Sequence, residues 1–232
     1  MCILTVSKFW VPAFLLAVVM AGCGREQTGF VAPAVISTSP ANLATGVPVS
    51  QIVTATFNVA MNPTTLNTVT FTPAAPGGTA LMGVVTYSGA TATFTPAVNL
   101  LPSTLYTGTI TTGATDSTGN ALAANFVWTF TTGTIPRVTS TVPVNGATGV
   151  PLNQKISATF SESMNSTTIT IATLTVTGPG GTAITGVVTY VSGSNTAIFT
   201  PAANLTASTL YKATITTGAM SALGNALTAN FV

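Results

Sequence analysis

Histidine is missing from the 232-residue chain, and charge is scarce: five Lys and Arg, three Asp and Glu, 3% of residues in all. Without histidine there is no Ser-His-Asp or Cys-His set, and the commonest metal ligand is gone. The acids are Glu26, Asp116 and Glu162. Hydrolysis by a carboxylate pair needs two acids within about 5–10 Å, and these three fall in different parts of the chain. No enzyme activity, cofactor or catalytic residue is expected. The bases Lys8, Arg25, Arg137, Lys155 and Lys212 are scattered, and the net charge is only +2. Nucleic-acid binding needs clustered Lys and Arg against the phosphates, so it is not expected either. Cys2 and Cys23 are the two cysteines, both near the N-terminus, so no disulfide closes the body of the chain. The longest apolar run, from Phe9 to Ala21 with Pro12 inside it, is shorter than the roughly 20 residues a spanning helix needs.

What is present is apolar, turn-rich and repeated. Hydrophobic residues make up 47%, with 21 Gly and 14 Pro. That content is too high for disorder, and threonine beside frequent turn formers favours strands over helices. The stretch Pro76-Gly77-Gly78-Thr79-Ala80-Leu81-Met82-Gly83-Val84-Val85-Thr86-Tyr87 returns as Pro179-Gly180-Gly181-Thr182-Ala183-Ile184-Thr185-Gly186-Val187-Val188-Thr189-Tyr190. One module of roughly a hundred residues, a common domain size, is thus written twice. The expected division is 1–22, 23–32, 33–134 and 135–232.

Residues 1–22 have the features of a signal peptide: Lys8, a short apolar core, then the small pair Ala21-Gly22. Val19-Met20-Ala21-Gly22-Cys23 resembles the lipobox of bacterial lipoproteins, with Met20 where leucine is usual. The resemblance implies cleavage before Cys23 and acylation of that residue, and two or three acyl chains make a stable anchor where one does not. Gly24 after the cysteine implies the outer membrane by the same resemblance. The competing reading is an ordinary secretory signal with an incidental cysteine. Residues 23–32 read as a tether.

Within the first module, Val35-Ile36 begins a strand, and Ser39-Pro40-Ala41-Asn42 and Gly46-Val47-Pro48 are turn chemistry. Val53, Ala55 and Phe57 alternate with threonine, as in a strand buried on one face. Met61 to Leu66 suits one helical turn, with Asn62 as cap and Pro63 at its first position. Further strands are expected at 69–72, 83–87, 91–95, 106–111 and along Phe126, Trp128 and Phe130. Ser88-Gly89-Ala90 is read as a hairpin, and Tyr106 stands where sandwiches place a tyrosine corner. Short strands punctuated this often predict an all-β fold: two tandem Ig-like antiparallel sandwiches. The second copy follows in register, with two extra residues at its hairpin Ser192-Gly193-Ser194-Asn195. Val232 aligns with Val127, so the second sandwich is expected to lack most of its last strand, to be marginal, and to belong to a chain that continues.

Both modules resemble the bacterial Ig-like domain of the surface-layer SbsA type. The residues that carry the likeness are Ser39-Pro40-Ala41-Asn42, Ala55-Thr56-Phe57, Ala92-Thr93-Phe94-Thr95-Pro96, Leu105-Tyr106, Gly119-Asn120-Ala121-Leu122 and Trp128-Thr129-Phe130-Thr131. The resemblance implies a non-catalytic sandwich that spaces another domain outward from the cell. Similar proteins place it before ice-binding or adhesive domains. The expected function is a monomeric stalk, secreted across the inner membrane and anchored through Cys23, presenting a C-terminal part absent from this chain. The alternative is an adhesive, ice- or glycan-binding module.

Three features invite other chemistry. Asp116 with Gly119-Asn120 could suit calcium, but the second copy has Ser221 in its place, and one carboxylate is too few; a side chain-braced turn is the simpler reading. Glu162 reads as a solvated strand end. Thr109, Thr111, Thr129 and Thr131 alternate outward as a hydroxyl row might, or as β-propensity alone would place them.

Overall fold

The computed structural model describes residues 31–232. Ala32–Val232 forms one compact unit, built from two β-sandwiches in sequence. In the first, β1 (Val35–Ser39), β3 (Val53–Phe57), β5 (Thr91–Pro96) and β4 (Gly83–Ser88) form a sheet in the order β1-β3-β5-β4. Facing it is the sheet β2-β7-β6, from β2 (Ala44–Val47), β7 (Phe126–Thr132) and β6 (Leu105–Ile110). The alternation in sequence sets the inner faces. Val53, Ala55, Phe57, Ala92 and Phe94 point in from one sheet, and Tyr106, Ile110, Trp128 and Phe130 from the other. Phe71 bridges the two layers, its ring centroid 6.0 Å from both Phe94 and Trp128.

Trp128 lies flat enough to fill the middle of this core only because Gly108, its antiparallel partner, has no side chain. A Cβ at Gly108 would come within 2.4 Å of the indole. The tyrosine corner forms as expected: the Tyr106 hydroxyl accepts the Leu101 N–H at 2.8 Å. Asn62 caps the helical turn Pro63–Thr65, its side chain accepting from Thr64 N–H.

Two local expectations are corrected. The strand expected at 69–72 opens as a turn over 67–70 and pairs with β6 only from there on. The Asn67 Oδ1 accepts from Val69 N–H and Thr70 Oγ1 accepts from Asn67 N–H, so side chains hold the start of the segment out of a ladder. Beyond it Phe71 bridges to Ile110 and Ala74 to Thr107, with Thr72 N–H donating to Thr109 C=O and Thr111 N–H to Thr70 C=O. The segment around Gly46, expected as a turn, is strand β2, and it lies parallel to β7. Its register shifts between Ala44 and Val47, and Gly46 at φ +67 supplies the conformation that shift requires. The sandwich is therefore not purely antiparallel.

The second sandwich repeats the first sheet as β11 (Gly186–Val191), β12 (Thr196–Pro201), β9 (Ile156–Phe160) and β8 (Val138–Val142), in that order. Opposite is a two-stranded sheet of β10 (Leu174–Thr177) and β13 (Lys212–Ile215). The last strand is represented by Phe231 alone, which exchanges both backbone bonds with Ile215 at 2.8 Å. The core is thinner here: Tyr211 and Ala213 are half-buried, where their counterparts Tyr106 and Gly108 are covered. Ala213 replaces Gly108 where no indole lies over the position.

Candidate functional site

The described residues offer four places where function could reside: the Asp116 loop, the threonine-rich faces, a cleft beside the inter-module linker, and the contact between modules. Cys23, the expected lipidation site, and Glu26 lie outside the described residues.

The Asp116 loop is a closed hydrogen-bonded turn. Asp116 Oδ1 accepts Thr118 N–H at 2.8 Å, Thr118 Oγ1 at 2.8 Å and Asn120 N–H at 2.9 Å. Asp116 Oδ2 accepts Asn120 Nδ2 at 2.9 Å. The Asn120 side-chain amide is the main reason the carboxyl sits at about 2, below its ordinary 3.8; desolvation opposes this, and Asn120 N–H and both Thr118 groups reinforce it. The carboxylate's acceptor positions are spent on its own loop. Among the described residues no three of His, Cys, Asp and Glu gather where they could hold a metal.

Thr109, Thr129 and Thr131 are half-exposed on the outer face of β6 and β7, and Thr111 lies just past the end of β6. A larger hydroxyl array lies on the other sheet, where the sequence reading did not look. Strand register aligns Ser37, Thr56, Thr91 and Ser88 in one row across four strands. Ser39, Thr54, Thr93 and Thr86 form the next. Thr56 and Thr91 hydroxyls bond each other at 3.0 Å. The second module breaks the pattern, with Ile198 and Val191 in the corresponding rows. Only the pairing register reveals these rows.

Glu162 is not a solvated strand end. It is half-buried beside the linker, where its Oε2 accepts Thr134 Oγ1 at 2.8 Å and its Oε1 has no partner. A cleft of about 390 Å³ opens there, with Arg137, Ser161 and Pro102 in its wall. A single carboxylate with neither a second acid nor an imidazole beside it has no partner for proton relay.

The contact between modules is built from the turn Ser221–Asn225 of the second module. Asn225 is buried at 1% exposure. Its Oδ1 accepts Val49 N–H at 2.9 Å, and its Nδ2 donates to Thr134 C=O at 2.7 Å. Sequence reasoning compared Asp116 with Ser221 only as metal ligands. The same difference was the signal for this contact.

Two facing β-layers around an aromatic core, given twice, define an Ig-like sandwich protein. The chain belongs to the bacterial Ig-like domain family, whose model matches residues 31–132 and again 133–232. No curated protein matches it. Among solved structures it is similar to CopC from Methylosinus trichosporium OB3b, at 12% identity and TM-score 0.38, over 44% of this chain and 94% of that one. It is also similar to the N-terminal part of the bacterial S-layer protein SbsC, at 18% identity and TM-score 0.36, over 79% of this chain and 44% of that one. The BSP domain of a biofilm associated protein matches at 18% identity and TM-score 0.24, over 79% of this chain. The chain spans 44% and 26% of the lengths of those last two structures.

Proposed function

We propose that this protein is a non-catalytic spacer of a bacterial cell envelope, with Ig-like modules of the surface-layer SbsA type. It is a monomer, secreted across the inner membrane and held to the outer membrane by acylated Cys23. The observation that carries the reading is the direct joint between the two sandwiches: a short linker, Thr134-Ile135-Pro136, with a buried side chain of the second module bonded to the first module's backbone at Val49 and to the linker's at Thr134. Modules meant to move independently gain nothing from such a contact, since relative motion is the default across small interfaces. Reach is what two stacked modules supply. The lipobox-like Val19 to Cys23 supports the anchor, and mass spectrometry of the mature N-terminus tests it: an unmodified cysteine removes that part.

The spacer reading is tested with an epitope fused after Val232 in an envelope-bearing host. Deleting residues 135–232 is expected to lower antibody access on intact cells, and unchanged access refutes the reading.

The two hydroxyl rows of the first module favour the second reading, a glycan- or ice-binding face. Adjacent strands rotate by roughly 20–25°, so four strands turn through about 60–75° from edge to edge. A face twisted that far presents no plane to a crystal, which is why the spacer stands first. Thermal hysteresis or glycan-array binding that Thr54→Val and Thr93→Val abolish would reverse the order.

A further inference from the structure

We propose that the Ser221–Asn225 turn is a docking clamp that fixes the second module on the first, and that serine in place of aspartate at its first position is what makes it one. The two modules carry the same turn in opposite states. In the first, Asp116 draws in both the backbone and the side chain of Asn120, and the Asn120 amide is spent at home. In the second, Ser221 Oγ still accepts the backbone N–H of Asn225, at 3.2 Å, but is too short to hold the side-chain amide as well. That amide turns outward. It meets a donor of the first module, Val49 N–H, and an acceptor of the linker, Thr134 C=O, so both ends of the side chain are paired. Ser221 and Asn225 are both buried.

The receiving surface is cut to fit. A Cβ at Gly133 would stand 3.0 Å from both Asn225 Nδ2 and Leu223 Cδ1. A Cβ at Gly46 would stand 3.0 Å from the same Leu223 methyl. At Gly149, the counterpart of Gly46 in the second module, a Cβ would meet nothing within 4 Å. The first module's turn has Thr118 where Leu223 stands, and both its N–H and hydroxyl are tied to Asp116. It lacks the apolar contact, made by one side of a part-exposed Leu223, as well as the free amide. Recognition therefore rests on two residues, an apolar side chain over bare glycine backbone and a released asparagine beside it. The partner such a surface fits is a turn of the form Ser-x-Leu-Gly-Asn on a neighbouring Ig-like module.

This deepens the spacer reading and, as an account of stiffness, rests on it. The test uses the full chain with Cys2 and Cys23 replaced by serine, Trp10 by phenylalanine, and spin labels on cysteines at Val84 and Val187, exposed equivalent positions on β4 and β11. Pulsed electron resonance is expected to give one narrow distance distribution. Asn225→Ala and Ser221→Asp should each broaden it by about twofold or more, as the default motion between modules returns. Asp116→Ser should leave the width unchanged. Trp128 fluorescence on heating checks that the first module remains folded in each variant. A distribution already broad in the parent chain, or one still narrow in both Asn225→Ala and Ser221→Asp, overturns the clamp. Neither result touches antibody access on cells, so the clamp and the spacer reading fail separately.

Discussion

Replacing Gly108 by alanine adds one methyl group to the most crowded point of the first core. The new Cβ would lie 2.4, 2.5 and 2.7 Å from three indole atoms of Trp128. The ring has nowhere to go. It is 1% exposed, with Phe71 at 6.0 Å and Phe126 at 5.7 Å between centroids. Overpacking of this kind costs about 1–3 kcal/mol, and the immobile neighbours place it in the upper half. Alanine also restricts the unfolded chain, which returns about 0.5–1 kcal/mol. The net expectation is a loss of about 2 kcal/mol, or about 8–16 °C in Tm for a domain of this size. Trp10 and Trp128 are the two tryptophans of the chain. In a Trp10→Phe background the indole signal therefore reports the first module alone. Calorimetry completes a cycle with Trp128→Leu, in which Gly108→Ala should become nearly harmless, a coupling of about 1 kcal/mol or more. Ala213→Gly, the reverse change in the second module, should cost about 0.5–1 kcal/mol through chain entropy. A Gly108→Ala protein melting within about 2 °C of its parent would refute this account of the core.

Asp116 makes the first module acid-sensitive. Its folded value lies near 2 and its ordinary value at 3.8, so its contribution is complete above the ordinary value and is lost as pH falls toward 2. Asp116→Ser should flatten the fall in Trp128-monitored Tm between those limits; an unchanged slope refutes the assignment. Tyr106→Phe removes the acceptor of Leu101 N–H and should cost about 1 kcal/mol, read by denaturant midpoint, with no change in the second module's transition. Appending Leu-Thr-Phe-Thr-Thr-Gly after Val232 should raise the melting of the second module, since two apolar side chains contribute about 3–6 kcal/mol when buried. Trp-Thr-Phe-Thr-Thr-Gly should do so only with Ala213→Gly, and equal gains from both tails in the parent would contradict the repeat alignment.

The fold was readable because its signals are local. Strict alternation at Val53, Ala55 and Phe57 leaves one way to bury a face. Ser88-Gly89-Ala90 states its hairpin outright, and a repeat read twice checks itself. The turn at 67–70 was misread because Val69 continues the alternation of Phe71, while Asn67 and Thr70 decide the backbone through side-chain bonds with no periodic signature. Strand β2 was misread for the opposite reason: Gly46 spells a turn, but β7 draws the chain alongside it. The candidate site was less legible. Asn225 and Val49 are far apart in sequence, and nothing between them announces that they meet. The hydroxyl rows depend on pairing register across four strands, which alternation within each strand leaves open.

Ala213 carries a consequence for folding fidelity. Gly83–Tyr87 and Gly186–Tyr190 are identical in sequence, and neighbouring domains this alike are prone to exchange strands while they fold. Beside the Phe231 bridge, the edge of β13 faces any passing copy of β7. The alanine methyl stands where that copy's indole would have to lie, because the same methyl at Gly108 would come within 2.4 Å of it. A single carbon atom thus disfavours the tryptophan strand beside β13 and leaves it to close the β2-β7-β6 layer of the first module.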